Sequence, residues 1–315
     1  MLTNKQEITF FSALGVILIL LLTFTYILGS KSVEEKEVLV KVSTPLPIGR
    51  VDIEAKAAYV YDTLSGEVLY AKNENERLPL ASLTKVMSAL VASEAVPSYR
   101  TIAISESSTK TDGDAGLVPG EHWTLKDLLD FSLVSSANDG IRAIALAVGS
   151  LGDDKTSDES LISDFVLKMN DLASTLGMKN TYYLNDTGLD ESKEQGGAYG
   201  SAKDQAILLE YVLKNNPTLL ASTKSSTLKI KNIEGMVHTA RNTSSIVNNI
   251  PGIIASKTGF TDLAGGNLVI AFDPELGRPI IISLLGSSED GRFRDMMVLV
   301  NASLASVQNS VISKE

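Results

Sequence analysis

The sequence predicts a domain that contains both helices and strands (α/β in the broad sense, α+β in the narrower one), in which one mixed β-sheet is covered by helices. Strand-like runs occur early, in AAYVYDTLSGEVLYAKN (57–73), and again late, from LKIKN (228–232) onward. Between them, apolar residues recur at helical spacing. Because both groups of strands must bury a face, we expect a single sheet with a helical insert between its first and last strands.

The elements are expected in the following order. A turn at Ser65-Gly66 joins the first two strands. A helix over 81–94 and a strand near 101–104 come next. Thr124-Leu-Lys-Asp127 is a capping box before an apolar helix, and Ser201-Ala-Lys-Asp204 opens a helix in the same way. The remaining expected elements are helices at 140–149 and 161–177, strands at 228–232, 253–261, 267–272 and 279–286, and a last helix over about 292–307.

Composition excludes several kinds of function. The 315 residues suffice for one large domain or two small ones, and the formal charge of −10 without any Lys/Arg-dense stretch argues against nucleic-acid partners. Cysteine is absent, which excludes disulfides, thiolate metal sites and cysteine nucleophiles. The two histidines, His122 and His238, lie far apart in no metal-ligand spacing, so we expect ordinary surface or core histidines.

The N-terminus contains a long apolar segment. Residues 8–29, ITFFSALGVILILLLTFTYILG, carry no charge and are long enough to cross a bilayer as a helix. Signal-peptide apolar regions are shorter, and Ile27 is not the small residue expected three positions before a cleavage after Gly29. We therefore expect an uncleaved transmembrane anchor; a cleaved signal peptide and a buried core helix are the alternatives.

The anchor divides the chain into four parts. Residues 1–7 are expected to be a cytoplasmic tail, 8–29 the anchor, 30–50 a charged and then proline-containing linker, and 51–315 the folded domain. The short leading tail favours export of the remainder, although the charges around the span decide its orientation only weakly. The expected location is thus the cell membrane, with the domain on its outer side.

The first chemical motif is an S-x-x-K in LPLASLTKVMSALVASE (78–94). Ser82 and Lys85 are three residues apart and share a helical face. A serine hydroxyl is a weak nucleophile until a base takes its proton, and a lysine can be that base when burial lowers its pKa. An N-cap serine followed by a surface lysine is the alternative. A buried helix is indicated by an apolar stripe of Leu83, Met87, Leu90 and Val91.

Two further motifs follow in order. Ser136-Ala137-Asn138 lies between two predicted helices, and Lys257-Thr258-Gly259 lies in a strand-like run. The glycine leaves room for another backbone to approach, and Ser256 stands where a phosphate-binding loop requires glycine. Each motif alone is weak. The ordered set S-x-x-K, S-x-N, K-T-G is typical of penicillin-binding proteins and class A β-lactamases.

From about residue 57 to 302, the chain resembles the low-molecular-mass penicillin-binding proteins of the serine D-alanyl-D-alanine carboxypeptidase family. The resemblance lies in VYDTLSGEVLYAKNENERLPLASLTKVMSAL, LKDLLDFSLVSSANDG, LGMKNTYYLNDTGLD, SKTGFTDLAGGNLV and GSSEDGRFRD. It implies a β-lactamase/transpeptidase-like fold with a mainly antiparallel sheet flanked by helices, a helical lobe, and a site between lobe and sheet. It implies no cofactor and no metal.

The resemblance also implies roles for five catalytic residues. Ser82 would attack the carbonyl between two terminal D-alanines, and Lys85 would accept its proton. Ser136 would relay a proton to the departing amine, while Lys257 would keep that relay polarised. Asn138 would hold both Lys85 and a substrate amide. The middle motif is SAN where such carboxypeptidases often have SGN, which could alter the shape of the pocket.

The resemblance places substrate binding on four further residues. Thr258 would bind the terminal carboxylate of the substrate, and Gly259 would give its backbone room. The backbone N–H groups of Phe260 and Ser82 would form the oxyanion hole. Arg292 would pair with the carboxylate, with neighbouring Arg294 as the alternative.

The function implied is a membrane-anchored D,D-carboxypeptidase that trims peptidoglycan stem peptides and is acylated by β-lactam antibiotics. A D,D-endopeptidase would use the same residues. A class A β-lactamase would add a glutamate four residues before an asparagine, where this chain has Thr181 before Asn185. A non-turnover penicillin- or peptidoglycan-binding protein is the third alternative, against which the complete motifs argue.

Overall fold

The chain forms two compact units, Met1–Lys41 and Val42–Glu315. The computed structural model describes Leu21, Thr23, 47–113, 115–151 and 157–312. The predicted tail, almost all of the predicted anchor and most of the predicted linker therefore lie outside the described residues. Within the described ranges, no helix is both long and apolar enough to cross a bilayer.

A five-stranded sheet forms the centre of the second unit. Its order is β10-β11-β12-β1-β2, and all four neighbouring pairs are antiparallel. The mixed sheet expected from the element order is therefore wrong, because short turns join β1 to β2 and β10 to β11 to β12, and such turns connect only antiparallel strands. The strands are β1 (Ala57–Asp62), β2 (Glu67–Lys72), β10 (Ile253–Thr261), β11 (Gly265–Phe272) and β12 (Ile280–Ser287).

Shorter strands form three small sheets. The predicted strand at 101–104 pairs with a strand that the sequence did not indicate, and LKIKN pairs in a hairpin with Val237–Arg241. The three sheets comprise β3 (Leu78–Pro79) with β7 (Ala198–Gly200) and β6 (Tyr182–Tyr183), β4 (Thr101–Ala103) with β5 (His122–Thr124), and β8 (Thr227–Lys231) with β9 (Val237–Arg241).

The predicted helices are all present with small changes at their ends. Thr124 Oγ1 accepts from the Asp127 N–H at 3.1 Å and Ser201 Oγ from the Asp204 N–H at 3.1 Å, which confirms both predicted N-terminal caps. The helices are α1 (Thr84–Ala95), α2 (Leu125–Ser135), α3 (Asn138–Gly149), α4 (Asp158–Thr175), α5 (Ala202–Asn215) and α6 (Gly291–Ile312).

Both faces of the sheet are apolar and covered. Along β1, Ala57 and Tyr59 belong to the core beneath α1–α5, whereas Ala58 and Val60 belong to the core beneath α6. This alternation follows the two-residue period of a strand. Helix α1 lies in the larger core, with every residue from 84 to 92 buried. The edge strand β10 faces the start of this helix, and the candidate site lies there.

Candidate active site

Ser82 and Lys85 lie where a 3₁₀ turn, Ala81–Leu83, leads into α1. Lys85 Nζ is 2.6 Å from Ser82 Oγ and 2.9 Å from the Thr187 carbonyl oxygen. The lysine is fully buried, whereas the serine stays partly exposed and can meet a substrate. No side chain caps either helical start, so the alternative of a capping serine with a surface lysine is wrong.

Burial changes the acid–base behaviour of Lys85. Removal from water disfavours the charged ammonium and lowers its pKa from 10.5 to about 7, although the negative charges of Asp186 and Asp139 act in the opposite direction. A lysine with this pKa is substantially neutral near pH 7. It can therefore take the proton of the neighbouring hydroxyl, which an ordinary surface lysine cannot do.

A second serine–lysine pair faces the first. Ser136 ends α2 in a left-handed conformation, with φ of +60°, and its Oγ accepts a hydrogen bond from Lys257 Nζ at 2.8 Å. Lys257 Nζ also donates to the Thr258 carbonyl at 2.8 Å. Burial, together with the positive charges of Lys85 and Arg292, holds the pKa of Lys257 well below its ordinary value.

Asn138 begins α3 beside this pair. Its Nδ2 donates to the Asp112 carbonyl at 2.6 Å, and its buried Oδ1 has no hydrogen-bond partner among the described residues. The predicted hydrogen bond to Lys85 is therefore not formed. The carbonyl of Thr187 accepts from Lys85 instead, in a turn that Asn185 Oδ1 stabilises by accepting from the Gly188 N–H at 2.7 Å.

The K-T-G strand passes very close to the nucleophile. A Cβ on Gly259 would lie 2.8 Å from the Leu80 carbonyl oxygen and 3.2 Å from the Ser82 nitrogen, so only glycine allows this approach. The hydroxyls of Thr258 and Thr243 are 2.5 Å apart. Phe260, the next residue of the strand, is exposed. The three predicted substrate-binding residues of β10 therefore lie beside Ser82.

The structure distinguishes the two candidate arginines. Arg292 is buried in the first turn of α6 and donates from Nη1 to the Gly259 carbonyl at 2.9 Å. Its guanidinium lies 5.8 Å from the centre of the Phe260 ring. Arg294 is exposed and pairs with Glu54 at 2.6 Å. The geometry favours Arg292, as predicted.

Three residues near the pairs were missed at the level of sequence. Thr187 holds Lys85 through its carbonyl, Asp186 carries a buried charge beside it, and Thr243 contacts Thr258. Backbone carbonyls leave no residue-type signal, and a single hydroxyl in a loop is not distinctive. Only the turn-forming run Asn-Asp-Thr-Gly at 185–188 could have drawn notice.

The histidines take no part in this site. His122 is exposed and pairs with Glu234, while His238 packs against Trp123 and Phe131. Among the residues that the structure describes, no group of three or more His, Cys, Asp or Glu side chains could hold a metal ion.

Two partly exposed serines, each hydrogen-bonded to a buried lysine at the edge of an antiparallel sheet, define a serine hydrolase that uses lysine where others use histidine. The sequence pattern of one such family, Peptidase S11, D-alanyl-D-alanine carboxypeptidase, matches residues 40–288. The chain belongs to this family.

Individual relatives are named as D-alanyl-D-alanine peptidases. The D-alanyl-D-alanine carboxypeptidase DacF of Bacillus subtilis is 32% identical over 268 residues, 83% of this chain and 61% of the relative. A D-alanyl-D-alanine endopeptidase of Pseudomonas aeruginosa is 32% identical over 225 residues, 70% of this chain and 67% of the relative. This chain thus spans about three fifths of the DacF length.

A solved structure supports the fold. The D-alanyl-D-alanine carboxypeptidase of Mycobacterium tuberculosis H37Rv superposes with a TM-score of 0.70 at 27% identity. The match covers 83% of this chain and 96% of that structure. The predicted transpeptidase-like α+β fold is confirmed for the described domain.

Proposed function

We propose that this protein is a serine D,D-carboxypeptidase that removes the terminal D-alanine from peptidoglycan stem peptides through an acyl-enzyme on Ser82. The observation that carries the proposal is the 2.6 Å contact between Ser82 Oγ and the buried, pKa-lowered Lys85. A nucleophile with its base already in hydrogen-bond reach is what acyl transfer requires.

The reaction starts with the carbonyl between the two D-alanines. Ser82 Oγ attacks this carbon while its proton passes to Lys85 Nζ. The backbone N–H groups of Ser82 and Phe260 stabilise the oxyanion, and each such donor is typically worth about 3–4 kcal/mol of barrier. As the C–N bond breaks, the amine of the departing D-alanine takes a proton through Ser136, which Lys257 polarises. Water then hydrolyses the ester and frees Ser82.

The substrate is held from two sides. Thr258 and Arg292 bind the terminal carboxylate, because a hydroxyl and a guanidinium are charge-assisted donors for that group. The Oδ1 of Asn138, which has no partner in the described part of the chain, accepts from a substrate amide N–H, and this would remove the cost of leaving the buried acceptor unsatisfied. Gly259 gives the substrate backbone room along β10.

A D,D-endopeptidase that cleaves cross-links is the second candidate. The Pseudomonas aeruginosa endopeptidase relative favours it, and the acyl-enzyme chemistry is identical. A β-lactamase is less well supported, since Thr181, which would have to be glutamate, donates its hydroxyl proton to Asp204 at 2.8 Å. A protein that binds without turnover would not need both serine–lysine pairs.

We place the enzyme at the outer side of the cytoplasmic membrane. The uncharged segment 8–29 would anchor it and residues 30–50 would tether the domain. Peptidoglycan stems and β-lactam antibiotics are then its partners. Membrane fractionation, with protease treatment of intact cells that lack a wall, tests this placement; recovery in the soluble fraction would contradict the anchor.

The activity is tested with the full chain in detergent and diacetylated L-Lys-D-Ala-D-Ala. Free D-alanine and labelling by a fluorescent penicillin are followed together, with Ser82→Ala as the control. Release that disappears in the variant is the expected result. Labelling without release would favour the endopeptidase and lead to cross-linked muropeptides. Absence of both from folded protein would refute the proposal.

A further inference from the structure

An ion pair with a buried carboxylate lies near Lys85 and takes no step in the reaction described above. Arg142, on α3, forms an ion pair with Asp186: its Nε donates to Oδ2 at 3.0 Å, and its Nη2 lies 2.8 Å from Oδ1. The Asp186 side chain is fully buried. A charge-assisted hydrogen bond inside an ion pair is stronger than a neutral one, so this contact holds Asp186 in place relative to α3.

The backbone of the same residue contacts the helix that carries Lys85. The Asp186 carbonyl accepts from Ser88 Oγ at 2.5 Å, and the following carbonyl, that of Thr187, accepts from Lys85 Nζ at 2.9 Å. Ser88 and Lys85 are three residues apart on one face of α1. The loop therefore presents two successive carbonyls to this face, and Arg142 holds the loop in that position.

We propose that Asp186, held by Arg142, is a positioning residue for Lys85: it acts on the lysine amine through the loop carbonyl that orients this amine toward Ser82 and through the negative charge of its own carboxylate. This inference rests on the proposed function, in which Lys85 is the base. Asp186 touches neither the substrate nor the reacting atoms, so its effect passes through Lys85.

The charges that face Lys85 come from three elements. Asp186 belongs to the loop after β6, Asp139 to α3, and Lys257 to β10. The Asp139 carboxylate already accepts from the backbone N–H groups of Ala115, Leu117 and Gly140. Burial raises the pKa of the Asp186 carboxyl itself, whereas the adjacent Arg142 guanidinium favours its charged form, and Asp186 is first among the charges that raise the pKa of Lys85 against burial. Removing the charge of Asp186 should therefore lower the pKa of Lys85 further.

The test is the pH profile of acylation by a fluorescent penicillin, measured on the full chain in detergent with Asp186→Asn. The substitution preserves shape and the backbone contacts with Ser88 and Lys85. We expect the acid limb of the profile to move to lower pH because the negative charge is removed, and the plateau rate to fall several-fold because the ion pair with Arg142 is lost. A merely structural role would lower thermal stability without moving the limb.

Asp62→Asn is the matched control. The Asp62 side chain is as fully buried as that of Asp186 and pairs with Arg278 at 2.8 Å, on β1 and next to β12. This variant should lose stability but keep the wild-type acid limb. If both variants keep that limb, the proposal is overturned. If the wild type itself is not acylated, the proposed function fails instead, and the two failures are distinct.

The variant Arg142→Lys distinguishes the positioning of the Asp186 loop from the effect of the Asp186 charge on Lys85. It keeps the positive charge but loses the planar guanidinium, whose Nε donates to Oδ2 and whose Nη2 lies beside Oδ1. The acid limb should stay at the wild-type pH while the plateau falls several-fold. This variant also decides the matter if Asp186→Asn does not fold, since a wild-type plateau in Arg142→Lys would refute the positioning role.

Discussion

Lys257 Nζ lies 2.8 Å from Ser136 Oγ, although the two residues are 121 positions apart. The lysine belongs to the edge strand of the sheet and the serine to the end of a helix in the helical part of the domain. Because this bond crosses from one part to the other, half of the site is missing until both have docked. The complete site therefore forms only when the domain is correctly folded.

The first prediction concerns this pair. Lys257→Met and Ser136→Ala should each slow D-alanine release strongly, and the double variant should be little slower than the worse single variant. Residues that act as one unit are non-additive in this way. A double-mutant cycle on kcat/KM measures the coupling. Strictly additive losses would mean that the bond is not used in the reaction.

A second prediction concerns pH. Lys85 serves as a base only when neutral, and its pKa is about 7. Acylation by penicillin should therefore rise with pH up to about 7 and level off above it. Lys85→Arg, which stays protonated throughout this range, should show no acylation at any pH. A wild-type profile without an acid limb near neutrality would contradict the assignment of Lys85 as the base.

Third, Lys85 should reduce the stability of the fold. Its folded-state pKa lies below the unfolded value, so the penalty is fully present below pH 7 and declines as pH rises towards 10.5. Lys85→Met should raise the free energy of unfolding at pH 6 by a few kcal/mol and by less at pH 9, while abolishing activity. Urea unfolding at both values measures the difference. An equal effect at the two pH values would argue against the lowered pKa.

Fourth, Gly259→Ala should damage both the fold and the site. Its Cβ would press on the Leu80 carbonyl and the Ser82 nitrogen and force β10 away from the nucleophile. Overpacking of this kind costs about 1–3 kcal/mol. Gly49→Ala, where a Cβ meets nothing within 4 Å, is the control. Thermal denaturation and penicillin labelling should both be impaired in the first variant alone.

Fifth, the two arginines should behave differently. Arg292→Gln removes a buried cation beside Phe260, whereas Arg294→Gln removes an exposed partner of Glu54. Loss of a charge-assisted hydrogen bond to the substrate carboxylate should lower kcat/KM about tenfold or more, mainly through KM. The Arg294 variant should retain wild-type kinetics. Comparable losses in both variants would mean that Arg292 does not bind the carboxylate selectively.

The sequence was most informative where local chemistry dominates. The N-terminal caps at Thr124 and Ser201, the buried helix after Ser82 and the strand at 253–261 are all confirmed. Each depends on residues within one or two turns of the chain. The mixed sheet was wrong because short turns make most neighbouring strands antiparallel, and the direction of the remaining pair, β1 with β12, depends on strands more than two hundred residues apart.

The residues of the site also divide into those that the sequence could predict and those that only the folded structure reveals. Ser82, Lys85, Ser136 and Lys257 could be selected from three spaced motifs, because nucleophile and base chemistry restricts residue types. The group that binds Lys85 could not be selected from a motif, because it is the backbone carbonyl of Thr187. The amide of Asn138 was predicted to contact Lys85, but it donates to the Asp112 carbonyl instead. Carbonyls carry no residue identity, so no motif reports where they point.

By itself, the sequence determined the family, the order of the elements and the residue types that carry the chemistry. The tertiary structure alone decided the distances between the pairs, the burial that lowers the pKa of both lysines, and the Arg142–Asp186 pair near one of them. The physical reason is that desolvation and hydrogen-bond geometry are properties of surroundings assembled from distant segments. Spacing along the chain specifies only what each segment contributes.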